Sequence, residues 1–254
     1  MKNTPLVSII TVVFNGEKYL QQTIDSVYQQ TYSNIEYIII DGKSTDGTLD
    51  IIKANEDKIS TWISEEDNGL YDAMNKGIGM AKGELIGIIN SDDWYEKEAI
   101  RLVVDAYINN REKQVFHGDR FDITESGERR RYRFNPSKYK FLYYSMTYNH
   151  PSMFFHKEVY KRFKYSTTLK IYSDYELVLK LYLKQPETFY YISRTYVNYR
   201  LDGLSTQQSI YGNIKEGATS RLNAGLTWLH VLIFMSVKSS FLVFKKLIRL
   251  FSIK

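Results

Sequence analysis

Residues 7–42 read VSIITVVFNGEKYLQQTIDSVYQQTYSNIEYIIIDG, and this stretch decides the fold. Val7–Phe14 is an unbroken apolar run, as expected of a strand buried on both faces. Asn15-Gly16 turns the chain. Leu20, Ile24 and Val27 then recur at i, i+4 and i+7, the spacing of one helical face. Ile35–Ile40 is a second apolar run, closed by Asp41-Gly42. Strand, helix and strand joined by short connections form the unit of a parallel sheet.

The pattern repeats outward. Ser44 to Gly47 supplies helix-capping residues ahead of Leu49 and Ile52. Ser60–Ser64 predicts a third strand, Tyr71–Ala81 a helix, Glu84–Ile89 a fourth strand and Ala99–Ile108 another helix. The expected class is α/β, a Rossmann-like, mostly parallel sheet with helices on both faces. Ligands of such sheets bind beyond the carboxyl ends of the strands. Asp41 follows the second strand, and Asn90-Ser91-Asp92-Asp93 follows the fourth, so three carboxylates are expected on one rim. Asp41 suits a nucleobase or ribose. Asp92 and Asp93 raise one another's pKa, a cost that a hard divalent cation removes. Each also reads as a plain turn or cap residue.

Farther on, Val115–Ile123, Ser152–Phe155 and Phe189–Tyr199 predict strands, and Asp174–Leu183 an amphipathic helix with Leu177, Leu181 and Tyr182 inward. Asp174 is a helix cap or a general base. Arg129–Arg133 reads better as a solvated loop than as a contact to acceptor phosphate. The aromatic run 139–148 and His150 are expected near an acceptor, where aromatic faces suit sugar rings.

Composition excludes several classes. The chain has 254 residues, 43% of them apolar and 25% charged, which rules out a disordered or fibrous chain. With no cysteine and only four histidines, thiolate metal sites, disulfides and a histidine-rich metal centre are out. Six basic residues and no acidic one follow Glu216, so of the +5 net charge the tail holds +6 and the preceding body −1. A nucleic-acid binder would spread positive charge over its body. No GxxxxGK[ST], GxGxxG or GxSxG motif is present. The start lacks the basic flank and cleavage site of a secretory signal.

Taken together, three segments resemble the family 2 glycosyltransferases of GT-A fold: residues 7–48, ending IIIDGKSTDGT; residues 65–94, EEDNGLYDAMNKGIGMAKGELIGIINSDDW; and residues 173–181, SDYELVLKL. The likeness spans roughly residues 5–205 and is strongest to small, non-processive members that build bacterial surface polysaccharides; the QxxRW motif of processive synthases is absent. The resemblance implies an inverting, metal-dependent transfer of a hexosyl or N-acetylhexosaminyl group from a nucleotide sugar, a UDP-sugar foremost. The acceptor would be a hydroxyl of a lipid-linked or oligosaccharide molecule in O-antigen, capsule or exopolysaccharide synthesis. By position, Thr11, Asn15, Asp41, Asn75, Asn90, Ser91 and Asp92 would contact the donor. Asp92 and Asp93 would serve Mn2+ or Mg2+, Asp174 would be the catalytic base, and His150 and Trp94 would border the acceptor. Asn90 stands where an aspartate is commoner, and Lys43 where a small residue is usual. A sugar nucleotidyltransferase is disfavoured because Val12–Gly16 holds one glycine where that class carries a glycine-rich phosphate loop. A catalytically inactive membrane-binding module is disfavoured by the four acids together.

The expected division is a catalytic domain at 1–216 and a basic amphipathic helical tail at 217–254. On a helix Lys238, Lys245 and Arg249 fall within about 40° of one another, beside Phe241, Leu242, Phe244, Leu247, Ile248 and Phe251. Such a stripe suits an anionic membrane, placing the protein in the cytoplasm on the inner face of the plasma membrane. A homodimer contact or core packing is the other expectation for the tail.

Overall fold

The computed structural model describes residues 4–201 and 209–251, with side chains as far as Phe241. The strands are β1 (Val7–Val13), β2 (Ile35–Asp41), β3 (Thr61–Ser64), β4 (Leu85–Asn90), β5 (Trp94–Tyr95), β6 (Val115–Ile123), β7 (Arg129–Tyr132), β8 (Phe154–His156) and β9 (Phe189–Arg200). The helices are α1 (Leu20–Tyr28), α2 (Thr48–Ala54), α3 (Leu70–Met80), α4 (Ala99–Asn109), α5 (Lys138–Tyr143), α6 (Lys157–Arg162), α7 (Ser173–Lys184), α8 (Ile210–Asn223) and α9 (Trp228–Phe251). One sheet runs β3-β2-β1-β4-β8-β6-β9-β5, with β7 on β6. β3, β2, β1 and β4 are parallel, as their apolar runs predict, and β8 enters antiparallel.

The alternation of side chains along β1 builds two cores. Val7, Ile9 and Val13 face α1, α2 and α4, while Ile10 and Val12 face α3, α6 and α7. Each fully buried isoleucine contributes about 1.5–3 kcal/mol relative to exposure, so a central strand closed on both faces is a strong register lock. Gly77 lets α3 approach: a Cβ there would stand 2.5 Å from Ile10.

Two expectations change. Arg129–Arg133 is not a solvated loop, since residues 129–132 form β7 on β6. Arginine stems suit this exposed edge because aromatic faces receive them: Arg129 lies 3.7 Å from the Phe121 ring and Arg120 lies 4.7 Å from Tyr132. The strand expected at Ser152 begins only at Phe154, because residues 150–152 make a 3-10 turn at Pro151.

The expected boundary at 216/217 falls inside α8. Arg221, fully buried, donates to the Leu142 and Gly217 carbonyls, each at 2.7 Å, and lies between the rings of Tyr175 and Phe234. On α9, Val231 and Phe234 are buried and Lys238 is half-buried, an i, i+3, i+7 inner face. Lys238 therefore packs over Tyr144, at 5.1 Å, instead of standing in an outward stripe. Burial lowers its pKa, and Arg221 lowers it further. The side chains of Leu242, Phe244, Lys245, Leu247, Ile248, Arg249 and Phe251 lie outside the described residues. Among the described residues no helix is long and apolar enough to cross a membrane.

Candidate active site

The carboxyl ends of β1, β2 and β4 lie side by side, because Val13 pairs with Asp41 and Val12 with Asn90. Chain direction alone thus gathers Asn15, Asp41 and the 90–93 turn. How each side chain is used depends on what crosses from elsewhere.

Asp41 is fully buried. Its Oδ2 accepts from the Ser44 amide at 3.1 Å and the Ser64 hydroxyl at 2.6 Å, and its Oδ1 accepts from the Ser44 hydroxyl. It is a strut joining the loop after β2 to the end of β3, and it presents no open face to a nucleotide. Thr11 is likewise fully buried, two residues short of the strand end, and its hydroxyl shares a 3.0 Å hydrogen bond with that of Tyr37. Both were expected to contact the donor, and here both are closed over by protein partners.

Asn15 sits at φ +52°, a left-handed conformation that asparagine tolerates. Its amide N–H donates to Ser44 Oγ and its Oδ1 accepts from the Thr45 amide, both at 2.8 Å. Lys43 is also left-handed, at φ +65°, and exposed. Two such residues, which cost backbone strain of order 1–3 kcal/mol where no local hydrogen bond relieves it, meet in one loop pair. What does reach this rim is Phe14, 64% exposed, and Asp67, which sequence reading passed over. A Cβ on Gly42 would stand 2.5 Å from Asp67 Oδ2 and 3.5 Å from Phe14. Asp67 Oδ1 is taken by the Gly69 amide at 2.8 Å. The signal was available in Asp67-Asn68-Gly69, a turn pair next to a strand end.

In the acidic turn, Asp93 is 1% exposed. Its Oδ1 accepts from the Arg200 amide at 3.0 Å and its Oδ2 from Asn90 Nδ2 at 3.2 Å. Burial first, and the Asp92 charge second, push its carboxyl well above the usual range. Asp92 is half-buried, and Arg200 Nε donates to its carbonyl at 2.9 Å. The Thr23 hydroxyl lies 2.9 Å from the Ser91 carbonyl and 2.7 Å from that of Asp93. Arg200 is the residue that sequence reading could not find. Its guanidinium lies 3.9 Å from the Tyr19 ring and 4.7 Å from Trp94, and it donates to Gln22 at 2.6 Å. Trp94 is thereby the floor under Arg200.

The residues of this turn fit a divalent cation of the Mg2+ or Mn2+ type. Among the described residues no three His, Cys, Asp or Glu side chains form a self-sufficient metal cage. Asp92 supplies a hard oxygen donor on a rim where a diphosphate could complete the shell, and like charge on adjacent acids is relieved by a cation.

Asp174 is the second residue of α7 and half-buried. Its Oδ1 accepts from the Tyr71 hydroxyl at 3.1 Å and from the Tyr175 amide at 2.8 Å. Burial, reinforced by the Asp174 charge, pushes the Tyr71 phenol well above its ordinary pKa and keeps it a donor. Tyr71 stacks on Tyr165, ring centroids 5.6 Å apart, and the Tyr165 hydroxyl meets His150 Nε2 at 2.9 Å. Burial lowers the His150 pKa against the pull of Asp174, which favours neutral imidazole. Asn75 holds this assembly: its Nδ2 donates to the Tyr165 carbonyl at 2.8 Å and its Oδ1 accepts from the Tyr165 amide at 3.1 Å. Its amide is thus committed to the Tyr165 backbone, where a donor contact was expected. Because α3 starts directly after the loop carrying Asp67, Tyr71 ties Asp174 to the end of the sheet where that loop leaves β3.

A family model described as "Glycosyl transferase family 2" matches residues 8–168. A Mycobacterium tuberculosis protein, called an uncharacterised glycosyltransferase, is 32% identical over 183 residues, which is 71% of this chain and 70% of the relative. Among solved structures, Staphylococcus aureus TarS 1–349 in complex with UDP-GlcNAc superposes with a TM-score of 0.67 at 19% identity, covering 90% of this chain and 70% of that one. The mannosyltransferase PcManGT of Pyrobaculum calidifontis, in complex with GDP-Man and Mn2+, gives 0.62 at 14% identity, covering 93% and 70%. At these identities the structural likeness establishes a shared fold.

Proposed function

The chain belongs to glycosyl transferase family 2, and from that premise we propose that it moves a hexosyl or N-acetylhexosaminyl group from a UDP-sugar to an acceptor hydroxyl, inverting the anomeric carbon. The acceptor is a lipid-linked or oligosaccharide intermediate of surface polysaccharide synthesis. The observation that carries this reading is Asp174, a half-buried carboxylate whose Oδ1 is fixed by Tyr71 and the Tyr175 amide.

Asp174 Oδ2 takes the proton of the acceptor hydroxyl as that oxygen bonds to the anomeric carbon. The bond from that carbon to the diphosphate oxygen breaks, and the nucleoside diphosphate leaves with the electron pair. A positioned base contributes about 10²–10⁴-fold. When bound by Asp92 together with the donor's phosphates, Mn2+ or Mg2+ would offset the charge on that leaving group. Asp93 holds the turn to Arg200 and Asn90 rather than reaching a cation. Phe14 stacks on the nucleobase, and Asp67 Oδ2 accepts one base N–H. Since Gly69 already occupies Oδ1, a single acceptor oxygen remains, which matches the one edge N–H of uracil better than the two of guanine. The TarS complex with UDP-GlcNAc is in keeping with this choice.

On α9, Trp228, Leu229 and Leu232 are at least 58% exposed. Such an apolar arc suits attachment to the membrane surface from the cytoplasmic side.

The test combines transfer and binding. Asp174→Asn should lower transfer at least about 10²-fold while UDP-sugar binding stays within twofold of wild type. Asp92→Ala should abolish the gain in donor binding on adding Mn2+. Near-normal turnover of Asp174→Asn, or unchanged metal dependence of Asp92→Ala, would overturn the assignment.

A further inference from the structure

We propose that a second site, separate from the donor rim, binds a phosphate ester in an open surface hollow of about 500 Å³ lined by Arg131, Arg133, Tyr191, Ser193, Arg194 and Thr195. Its wall carries three guanidinium groups and no carboxylate.

The hollow is built by the fold. Along β6 and β9, Gly118 pairs with Ile192, but Asp119 pairs with Thr195, so Ser193 and Arg194 bulge out of the ladder. Bulges re-aim side chains, and this one places Arg194 beside two arginines from β7 and the residue just after it. Below the wall lies Asp119, fully buried. Its Oδ2 accepts from Arg131 Nη2 at 2.7 Å and Nε at 3.2 Å. Its Oδ1 accepts from the Tyr191 hydroxyl at 2.7 Å and the Phe134 amide at 2.9 Å. One buried carboxylate therefore orients two wall residues and balances one of the three positive charges, leaving two for a ligand.

The chemistry selects the ligand. Planar guanidinium forks match the paired oxygens of phosphate, and the Ser193 and Thr195 hydroxyls add donors. An apolar ligand would find little to bury against, and a hydroxyl-only sugar would leave the excess charge unanswered. A diphosphate or phosphodiester satisfies both charge and donors. Its source is either the acceptor substrate or free phosphate. The Gly118 carbonyl beside the bulge also accepts from Asn149 and Ser152, at 2.8 and 2.9 Å, which connects the wall of the hollow to the turn bearing His150. That continuity favours the acceptor, an identification that rests on the transferase reading, whereas anion binding does not.

The experiment titrates the full chain with inorganic pyrophosphate in EDTA by calorimetry. Arg133→Gln combined with Arg194→Gln avoids stranding Asp119, and a melting curve confirms folding. The expected result is weakening of pyrophosphate binding by at least about tenfold in the double variant, with UDP binding and the pyrophosphate affinity of Asp92→Ala both unchanged. Pyrophosphate binding that survives in the double variant, or that is lost in Asp92→Ala, overturns the proposal. KM for a phosphate-bearing acceptor rising in the double variant, with that for its dephosphorylated form unmoved, assigns the site to the acceptor. Unmoved KM values with lost pyrophosphate binding assign it to free phosphate. Loss of all transfer in wild type with pyrophosphate binding intact sinks the transferase reading alone.

Discussion

The phenol of Tyr71, in the first turn of α3, donates a 3.1 Å hydrogen bond to Oδ1 of Asp174, in the first turn of α7, across 103 residues of chain. One carboxylate oxygen is thereby held and the other is left for chemistry. Tyr71→Phe keeps the ring stacked on Tyr165 and removes only the donor. We expect kcat to fall about tenfold, the order of one charge-assisted hydrogen bond, with KM for the donor unchanged. Adding the substitution to Asp174→Asn should cost nothing more. Additive losses in that double-mutant cycle would show that Tyr71 acts elsewhere.

The two aspartates at the β2 rim should separate stability from binding. Asp41→Ala strands the hydroxyls of Ser44 and Ser64 in a buried place and is expected to cost about 1–3 kcal/mol, read as a lower melting temperature. Asp67→Ala should leave melting within a degree or two and weaken UDP binding by about tenfold. A reversed pattern would return the nucleotide contact to Asp41.

His117 gives a pH prediction. It is buried against Phe134 and Tyr148, its Nδ1 has no partner, and burial lowers its pKa from 6.5 to about 3, partly opposed by Asp119. The folded value lies below the unfolded one, so between these values the unfolded chain binds the extra proton. The contribution is complete above pH 6.5 and is lost as pH falls toward 3, about 2 kcal/mol of it between pH 7 and pH 5. Denaturant titrations should show His117→Phe losing less stability over that interval than wild type. An identical loss in both would exclude His117.

Cutting the chain after Glu216 would sever α8 and remove Arg221 from the core, so membrane attachment is better tested on the surface. Trp228→Glu with Leu232→Glu alters only exposed positions. The pair should abolish co-sedimentation with anionic vesicles and leave soluble-acceptor transfer intact. Retained sedimentation would reject attachment through this arc.

Within α8 the packing is tight: a Cβ on Gly217 would stand 2.6 Å from the Phe234 ring. Gly217→Ala should lower stability by about 1–3 kcal/mol through overpacking, and Phe234→Leu in the same chain should recover part of it. Full stability of Gly217→Ala would mean α9 is not seated there.

Much of the fold is legible in the linear chain because its signals are local. Val7–Val13 and Ile35–Asp41 are dominated by β-branched apolar residues on both alternating faces and so are expected to be closed on both sides, and Leu20, Ile24 and Val27 repeat with helical spacing. β7 escaped because an exposed arginine run reads as a loop, and the pairing with β6 that makes it a strand, with Phe121 and Asp119 beneath, is not written in the run itself. α8 escaped as part of the core because Arg221 looks like surface until it is found between Tyr175 and Phe234.

By itself the sequence determined that Asp41 and the 90–93 turn share one rim, since parallel strands carry their following residues to the same edge of a sheet. Only the tertiary structure decided which acids are struts. Ser64 arrives from β3 to close over Asp41, Arg200 arrives from β9 to close over Asp93, and Gly42 leaves room for Asp67. Burial of a carboxylate depends on partners distant in the chain, and no local pattern records who those partners are.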